Sequence, residues 1–329
     1  MTTPIALTGL QPTGLPHLGN LYGAMLPAKR LAANHRLAVF IADVHALNGA
    51  DPATVREATD QLARLLIALG LDEGGAVYRQ SDVPETFELA LLLANVAGKG
   101  LLNRSHAYRA AVERNQELGR PEDDGVNVGL YLYPLLMAAD ILVGRAEVVP
   151  VGHDQKSHVE LARDLAGAFN SRYGEAFTVP EPVISEAAIV PGTDGRKMSK
   201  SYGNVLPLLA SDADLAALVR RIPTTSLPPE APKDPDSCGL YQLYRLGAGD
   251  EEEAAVRARY LEGGLAYGEM KQLLASQLAD TVGALRDRAL ALTPERVAET
   301  LASGAAQMRA TAAPLLADVR ERMGLGQMA

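Results

Sequence analysis

The sequence predicts an α/β half built on a parallel sheet, followed by an all-helical half. Two observations carry this. Up to about residue 190, short aliphatic runs alternate with longer amphipathic stretches; beyond it strand-like runs vanish and Ala- and Leu-rich segments laced with opposite charges take over. Ile5–Leu10 reads as the first strand, and Leu18–Leu31, after Gly14, as the first helix. Ala38–Val44 is a second buried strand. Thr54–Leu69, with Val55, Leu62, Leu65, Leu66 and Leu69 at helical spacing, is the next helix. Gly74–Gln80 follows as a strand, then Pro134–Val143 as helix, Glu147–Val151 as strand and His158–Phe169 as helix. Strands separated by helices imply βαβ units, which place ligands at the carboxyl ends of the strands. In the second half Asp212–Arg221, Glu252–Leu261, Met270–Ala291 and Pro294–Met323 read as helices. Thr224–Gly239, with prolines at 228, 229, 232 and 235, cannot be continuous helix.

Composition narrows the function classes. With 47% hydrophobic and 22% charged residues in a chain of 329, disorder is excluded. Lys and Arg number 31 against 40 Asp and Glu, a net charge of −9, so a polyanion must meet a local basic patch rather than a cationic coat. Arg104, Arg109, Arg114 and Arg120 lie close in sequence, as do Arg196, Lys197 and Lys200. One cysteine, Cys238, no secretory signal and no bilayer-length apolar run lead to the expectation of a cytoplasmic protein without a membrane segment.

Four segments fall where the topology would bring ligands. GLQPTGLPHLGN (9–20) joins the first strand to the first helix, its glycines allowing close backbone approach and His17 and Asn20 adding polar groups; it reads as a phosphate-binding turn or an ordinary strand-to-helix turn. GTDGRKMSKSYGN (192–204) carries Arg196, Lys197 and Lys200 with Ser199 and Ser201 between glycines, a loop suited to closing over a polyphosphate. GLYLYPLLMAADILV (129–143) has Asp140 as its single acid, with Tyr133 and Met137 on roughly the same helix face. That acid either meets a neighbouring arginine or reads a donor on a mostly apolar ligand. In VVPVGHDQ (148–155), Asp154 is placed to hold a ribose hydroxyl or to cap a helix. Asp43 and His45 end the second strand, where a core histidine is the default reading, and His153 and His158 lack the partners a metal site needs.

Together these segments resemble the class I aminoacyl-tRNA synthetases, and within them the tryptophanyl rather than the tyrosyl enzymes. His17-Leu18-Gly19-Asn20 stands at the HIGH signature and Lys197-Met198-Ser199-Lys200-Ser201 is an intact KMSKS; Met137-Ala138-Ala139-Asp140 and Val149-Pro150-Val151-Gly152 carry the tryptophanyl likeness, which runs on to MGLG at Met323. The resemblance implies ATP as substrate, with Mg²⁺ carried on it, L-tryptophan and tRNA(Trp) as partners, and a homodimer. It implies a Rossmann-like catalytic domain over 1–190, closed by a C-terminal helix from about 286 to 329, and a helical anticodon-binding domain over 191–285. Gln11, Pro12, Thr13, His17, Gly19 and Asn20 would hold ATP, joined by Gly152, His153, Asp154, Ile189 and Lys197 to Ser201, Met198 included. Leu7, Met137, Val149 and Val151 would enclose the indole, Asp140 accept its N–H, and Tyr133 and Gln155 bind the ammonium. Lys197, Lys200, Gln11 and Arg109 would act on the reacting phosphates, with no resident metal. Against the family's pattern, His153 stands where Glu is usual, Leu7 where Phe is common and Arg109 where a lysine is often found.

Overall fold

A computed structural model describes residues 3–152, 155–184 and 190–326. Its centre is a five-stranded sheet of β1 (Ile5–Leu10), β2 (Arg36–Ile41), β3 (Ala76–Arg79), β4 (Val148–Val151) and β5 (Glu181–Ile184), all parallel in the order β3-β2-β1-β4-β5. The order reverses between β1 and β4, and a crevice opens at their carboxyl ends. Alternation along the strands splits the core: Leu37, Val39 and Ile41 pack on one face of the sheet and Ala38, Phe40 and Ala42 on the other. β5 was not predicted. It has four residues, one of them Pro182, and none is buried, so no apolar run marks it.

The first helical stretch is broken. α1 (Leu18–Asn20) passes through a wide π turn at Leu21–Met25 into α2 (Leu26–Leu31), and Pro27, which lacks an N–H, follows that turn at once. α3 (Asp43–Ala46) follows β2. Asp51 then caps α4 (Pro52–Ala68), accepting from the Ala53 and Thr54 N–H groups. Between β3 and β4 lie α5 (Glu85–Leu93), α6 (Lys99–Asn103), α7 (His106–Glu117) and α8 (Val128–Val143). α8 begins six residues before the predicted start, at the Asn127 cap, whose side chain takes the Leu130 N–H. α9 (Lys156–Tyr173) connects β4 to β5.

No strand is present in 205–326. α10 (Asp212–Arg220), α11 (Gly239–Tyr244), α12 (Asp250–Glu262), α13 (Tyr267–Leu278) and α14 (Ala284–Ala291) follow, with a π turn at Ala279–Gly283; all but the six-residue α11 fall on predicted helical stretches. The long α15 (Pro294–Arg322), capped by Thr293, returns to the sheet. At Gly304 it crosses β3 so closely that a Cβ would stand 2.1 Å from the Val77 carbonyl oxygen. Ala305, Met308, Ala312 and Leu315 then share a core with Leu7, Phe40 and Tyr78. Among the described residues no helix is long and apolar enough to cross a membrane.

Candidate active site

The crevice between β1 and β4 holds a cavity of about 370 Å³, within the range of small-ligand sites. Leu7, Thr8 and Gly9 of β1, followed by Gln11, form one side, and Val149, Pro150 and Val151 of β4, with Gly152 and Gln155 beyond, the other. Phe40, Ala42 and His45 close it from the β2 end. Tyr133, Met137 and Ile141 of α8 supply the far wall, and Gly23, Ala24 and Pro27 border it at the π turn. Six of the residues expected around the amino acid (Leu7, Tyr133, Met137, Val149, Val151 and Gln155) therefore face one space.

Asp140 stands behind that wall. It is 3% exposed, and its partners are His45, whose Nε2 lies 3.0 Å from Oδ2, and Gln80, whose Nε2 reaches Oδ1 at 3.0 Å and Oδ2 at 2.9 Å. Among the described residues no arginine pairs with it. Burial pushes its carboxyl above the ordinary value, while the His45 bond and charge and then the Gln80 bond pull the other way. The His45 ring is buried, sits edge-on to Tyr133 at 4.9 Å between centroids, and has its Nδ1 without a partner among the described residues. Gln80 escaped the sequence reading. Its one available signal was its place at the carboxyl end of the third strand, where the topology already directed attention.

A second group of residues gathers at the glycine-rich turn. The imidazole of His17 caps α1, its Nδ1 accepting the Gly19 N–H at 3.1 Å, so the neutral ring carries its proton on Nε2. Burial first, and the Lys200 charge second, lower its pKa to about 4. Asn20 Oδ1 accepts the His17 N–H at 3.0 Å. The same Gly19 N–H lies 3.3 Å from Met198 Sδ, and Lys200 Nζ donates to the Gly14 carbonyl at 3.0 Å and reaches Thr13 Oγ1 at 3.4 Å. Backbone bonds from Leu18 to Leu206 and from Leu208 to Pro16 fasten the same two segments together. Burial lowers the Lys200 pKa. Pro12 is buried, whereas Lys197 and Ser201 are exposed and Ser199 half-buried.

Asn204 organises this cationic loop. It is 2% exposed, accepts the Ser199 N–H at 2.8 Å and donates to the Lys197 carbonyl at 3.1 Å and to Asp194 at 2.6 Å. Arg109 is not brought to either group. It is exposed on α7, paired with Glu113 at 3.3 Å. His153, Asp154 and Ile189 lie outside the described residues. Among those described, no group of three metal-ligating side chains occurs.

Comparison with known proteins matches this architecture. The family model for class I tRNA synthetases (W and Y) fits residues 2–282. The tryptophan–tRNA ligase of Pseudomonas aeruginosa is 49% identical over 99% of this chain and 74% of its own length; that of Neisseria meningitidis is 44% identical over 99% of both. A crystal structure of tryptophanyl-tRNA synthetase from Campylobacter jejuni, complexed with ADP and tryptophan, superposes with a TM-score of 0.87 at 34% identity, covering 98% of this chain and 100% of that one. The tyrosyl-tRNA synthetase of Aeropyrum pernix, at 19% identity and a TM-score of 0.66, shares the fold. Family model and full-length relatives agree: the chain belongs to the class I tRNA synthetases of the tryptophan and tyrosine group, on the tryptophan–tRNA ligase branch.

Proposed function

We propose that this protein activates L-tryptophan with ATP and transfers it to tRNA(Trp). The observation that carries the reading is one crevice in which an aromatic-sized apolar cavity, backed by a buried acid, adjoins a turn and a cationic loop already fastened together. In the first step a tryptophan carboxylate oxygen attacks the α-phosphorus of ATP, and the bond to the β-phosphate bridging oxygen breaks, releasing pyrophosphate. No protein nucleophile is required, because positioning and stabilisation of leaving-group charge account for the catalysis. In the second step a terminal ribose hydroxyl of the tRNA attacks the acyl carbonyl and AMP leaves.

On this reading Leu7, Met137, Val149 and Val151 enclose the ring while Tyr133 and Gln155 receive the ammonium. Asp140, which stands behind the wall rather than lining it, is assigned the ring N–H, to be accepted through Oδ1, which has Gln80 as its one partner among the described residues. Gln11, Thr13, His17, Gly19, Asn20 and Gly152 hold the nucleotide. Lys197 and Lys200 take the diphosphate charge, with Mg²⁺ arriving on ATP. Helices α10 to α14 would read the anticodon, and a second copy would dock on α5 and α8, where Leu91, Val128 and Leu132 are exposed. Cytoplasmic residence suits both the tRNA substrate and the unpaired Cys238.

ATP–pyrophosphate exchange measured with each of the common amino acids tests the assignment: tryptophan alone should support it. Exchange with tyrosine instead would overturn it. Asp140→Ala should abolish the preference for tryptophan, and a variant that kept it would transfer ring reading to another residue.

A further inference from the structure

Gln80 is 1% exposed and heads the 3₁₀ turn Gln80–Asp82 that ends β3. Its amide can face only one way. The backbone N–H of His45 points at Oε1 from 3.3 Å, and an N–H can only donate, so the oxygen belongs there and the NH₂ group faces Asp140. That NH₂ spans both carboxylate oxygens, at 3.0 and 2.9 Å, while His45 Nε2 takes Oδ2 alone. The carboxylate is thus fixed in rotation by two donors, and Oδ1 keeps the larger share of its acceptor capacity. The same amide ties His45, which lines the cavity, to Asp140, which stands behind it.

We propose that Gln80 is the positioning residue for ring recognition: by donating to both oxygens of Asp140 and accepting from the His45 backbone, it presents that carboxylate as an acceptor for a ring N–H. The proposal rests on the reading that Asp140 recognises the indole nitrogen. A buried acid without such donors would favour its protonated form, which can donate but accepts poorly. The other titratable groups acting on Asp140 are His45 and Asp43 of α3, with Tyr78 of β3 also facing its charge; none of them can replace the bidentate contact.

Steady-state ATP–pyrophosphate exchange separates this role from mere packing. The substrates are L-tryptophan and β-(benzothiophen-3-yl)alanine, in which sulfur replaces the ring N–H. The proteins are the unaltered chain, Gln80→Glu, which keeps the side-chain volume but sets a carboxyl against Asp140, and Gln80→Met, which removes the donor. The unaltered chain should prefer tryptophan, and both variants should lose roughly ten- to hundredfold of that preference through KM for tryptophan. KM for ATP and kcat/KM for the sulfur analogue should stay unchanged. Equal losses on both substrates, retained preference, or a loss confined to Gln80→Met would overturn the role. An unaltered chain that uses both substrates equally would instead remove the Asp140 reading, and the proposal with it.

Discussion

Gly192→Ala adds one methyl group to the loop that carries Lys197 and Lys200, and the structure indicates what it would displace. Pro191 and Lys197 pair as a short antiparallel hairpin, closed by the Gly192 N–H to the Arg196 carbonyl at 2.6 Å and turned at Gly195, whose φ is +83°. A Cβ on Gly192 would stand 2.1 Å from Asn204 Nδ2 and 2.3 Å from its Cγ, well inside contact distance. Asn204 must swing away, giving up its bonds to the Ser199 N–H, the Lys197 carbonyl and Asp194. At about 1 kcal/mol each, the ordered loop loses about 3 kcal/mol. Because about 1.4 kcal/mol is a factor of ten, kcat for pyrophosphate exchange should fall by about a hundredfold if the whole of that loss reaches the transition state. Affinity for tryptophan should hold, since neither Gly192 nor Asn204 lines the cavity. The chain contains no Trp, so the ligand's indole emission and its change on binding are read without an indole background from the protein. Loss of affinity in step with kcat, or an unchanged kcat, would refute the view that Asn204 holds the loop in its working shape.

Three further outcomes are expected. Lys200→Ala should reduce exchange kcat by roughly a hundred- to a thousandfold while leaving tryptophan fluorescence titrations unchanged; comparable losses in both would contradict its assignment to the leaving group. Because the His17 pKa lies at about 4 in the fold and 6.5 is its ordinary value, the unfolded chain binds the proton first as pH falls. The stability this ring contributes is complete above about pH 6.5 and is lost towards pH 4, so urea unfolding should show a slope there that His17→Asn flattens. Lys233, 3% exposed, donates to the carbonyls of Pro228, Pro229 and Ala231 and lies 5.4 Å from the Tyr267 ring centre. Lys233→Met should lower unfolding free energy by about 2–4 kcal/mol, read by urea titration, with pyrophosphate exchange retained.

The periodic elements were legible because burial wrote them into the chain: four of five strands and, after residue 205, every helix but the six-residue α11 follow from runs and spacing. The helices between residues 85 and 117 were not read. α7 turns only a narrow face inward, with Ala107, Tyr108, Ala111 and Val112 half-buried and a polar residue, Asn115, at its one buried position, so its apolar stripe is a weak signal. The site was legible to the level of which helix, and imprecise at the level of which face. From Met137, residue 140 is rotated about 60° one way and residue 141 about 40° the other, so both straddle the direction Met137 takes. The cavity takes Ile141, and Asp140 turns to His45 and Gln80. Gln80 acquires its role only when β3 lies beside β2 and α8 covers their ends, a tertiary fact that no local pattern encodes.

The parked position of Lys200 bears on how such a loop could work. Its ammonium is half-buried and rests on neutral acceptors, the Gly14 carbonyl and Thr13 hydroxyl, at 3.0 and 3.4 Å. Burial already lowers its pKa, a sign that the charge is incompletely compensated there. A phosphate oxygen is a stronger acceptor, since charge-assisted bonds contribute about 1.5–3 kcal/mol against roughly 0.5–1.5 for neutral ones. On the proposed assignment of Lys200 to the diphosphate, the stronger acceptor favours transfer of the ammonium from carbonyl to phosphate. The loop need not open wide to make it: the Leu18–Leu206 and Pro16–Leu208 backbone bonds and the Met198 sulfur hold it against the same turn that would cradle the nucleotide. On the proposed assignment the Lys200 ammonium is the group that exchanges partners, from the turn it now rests on to the diphosphate, while these contacts tie turn and loop together.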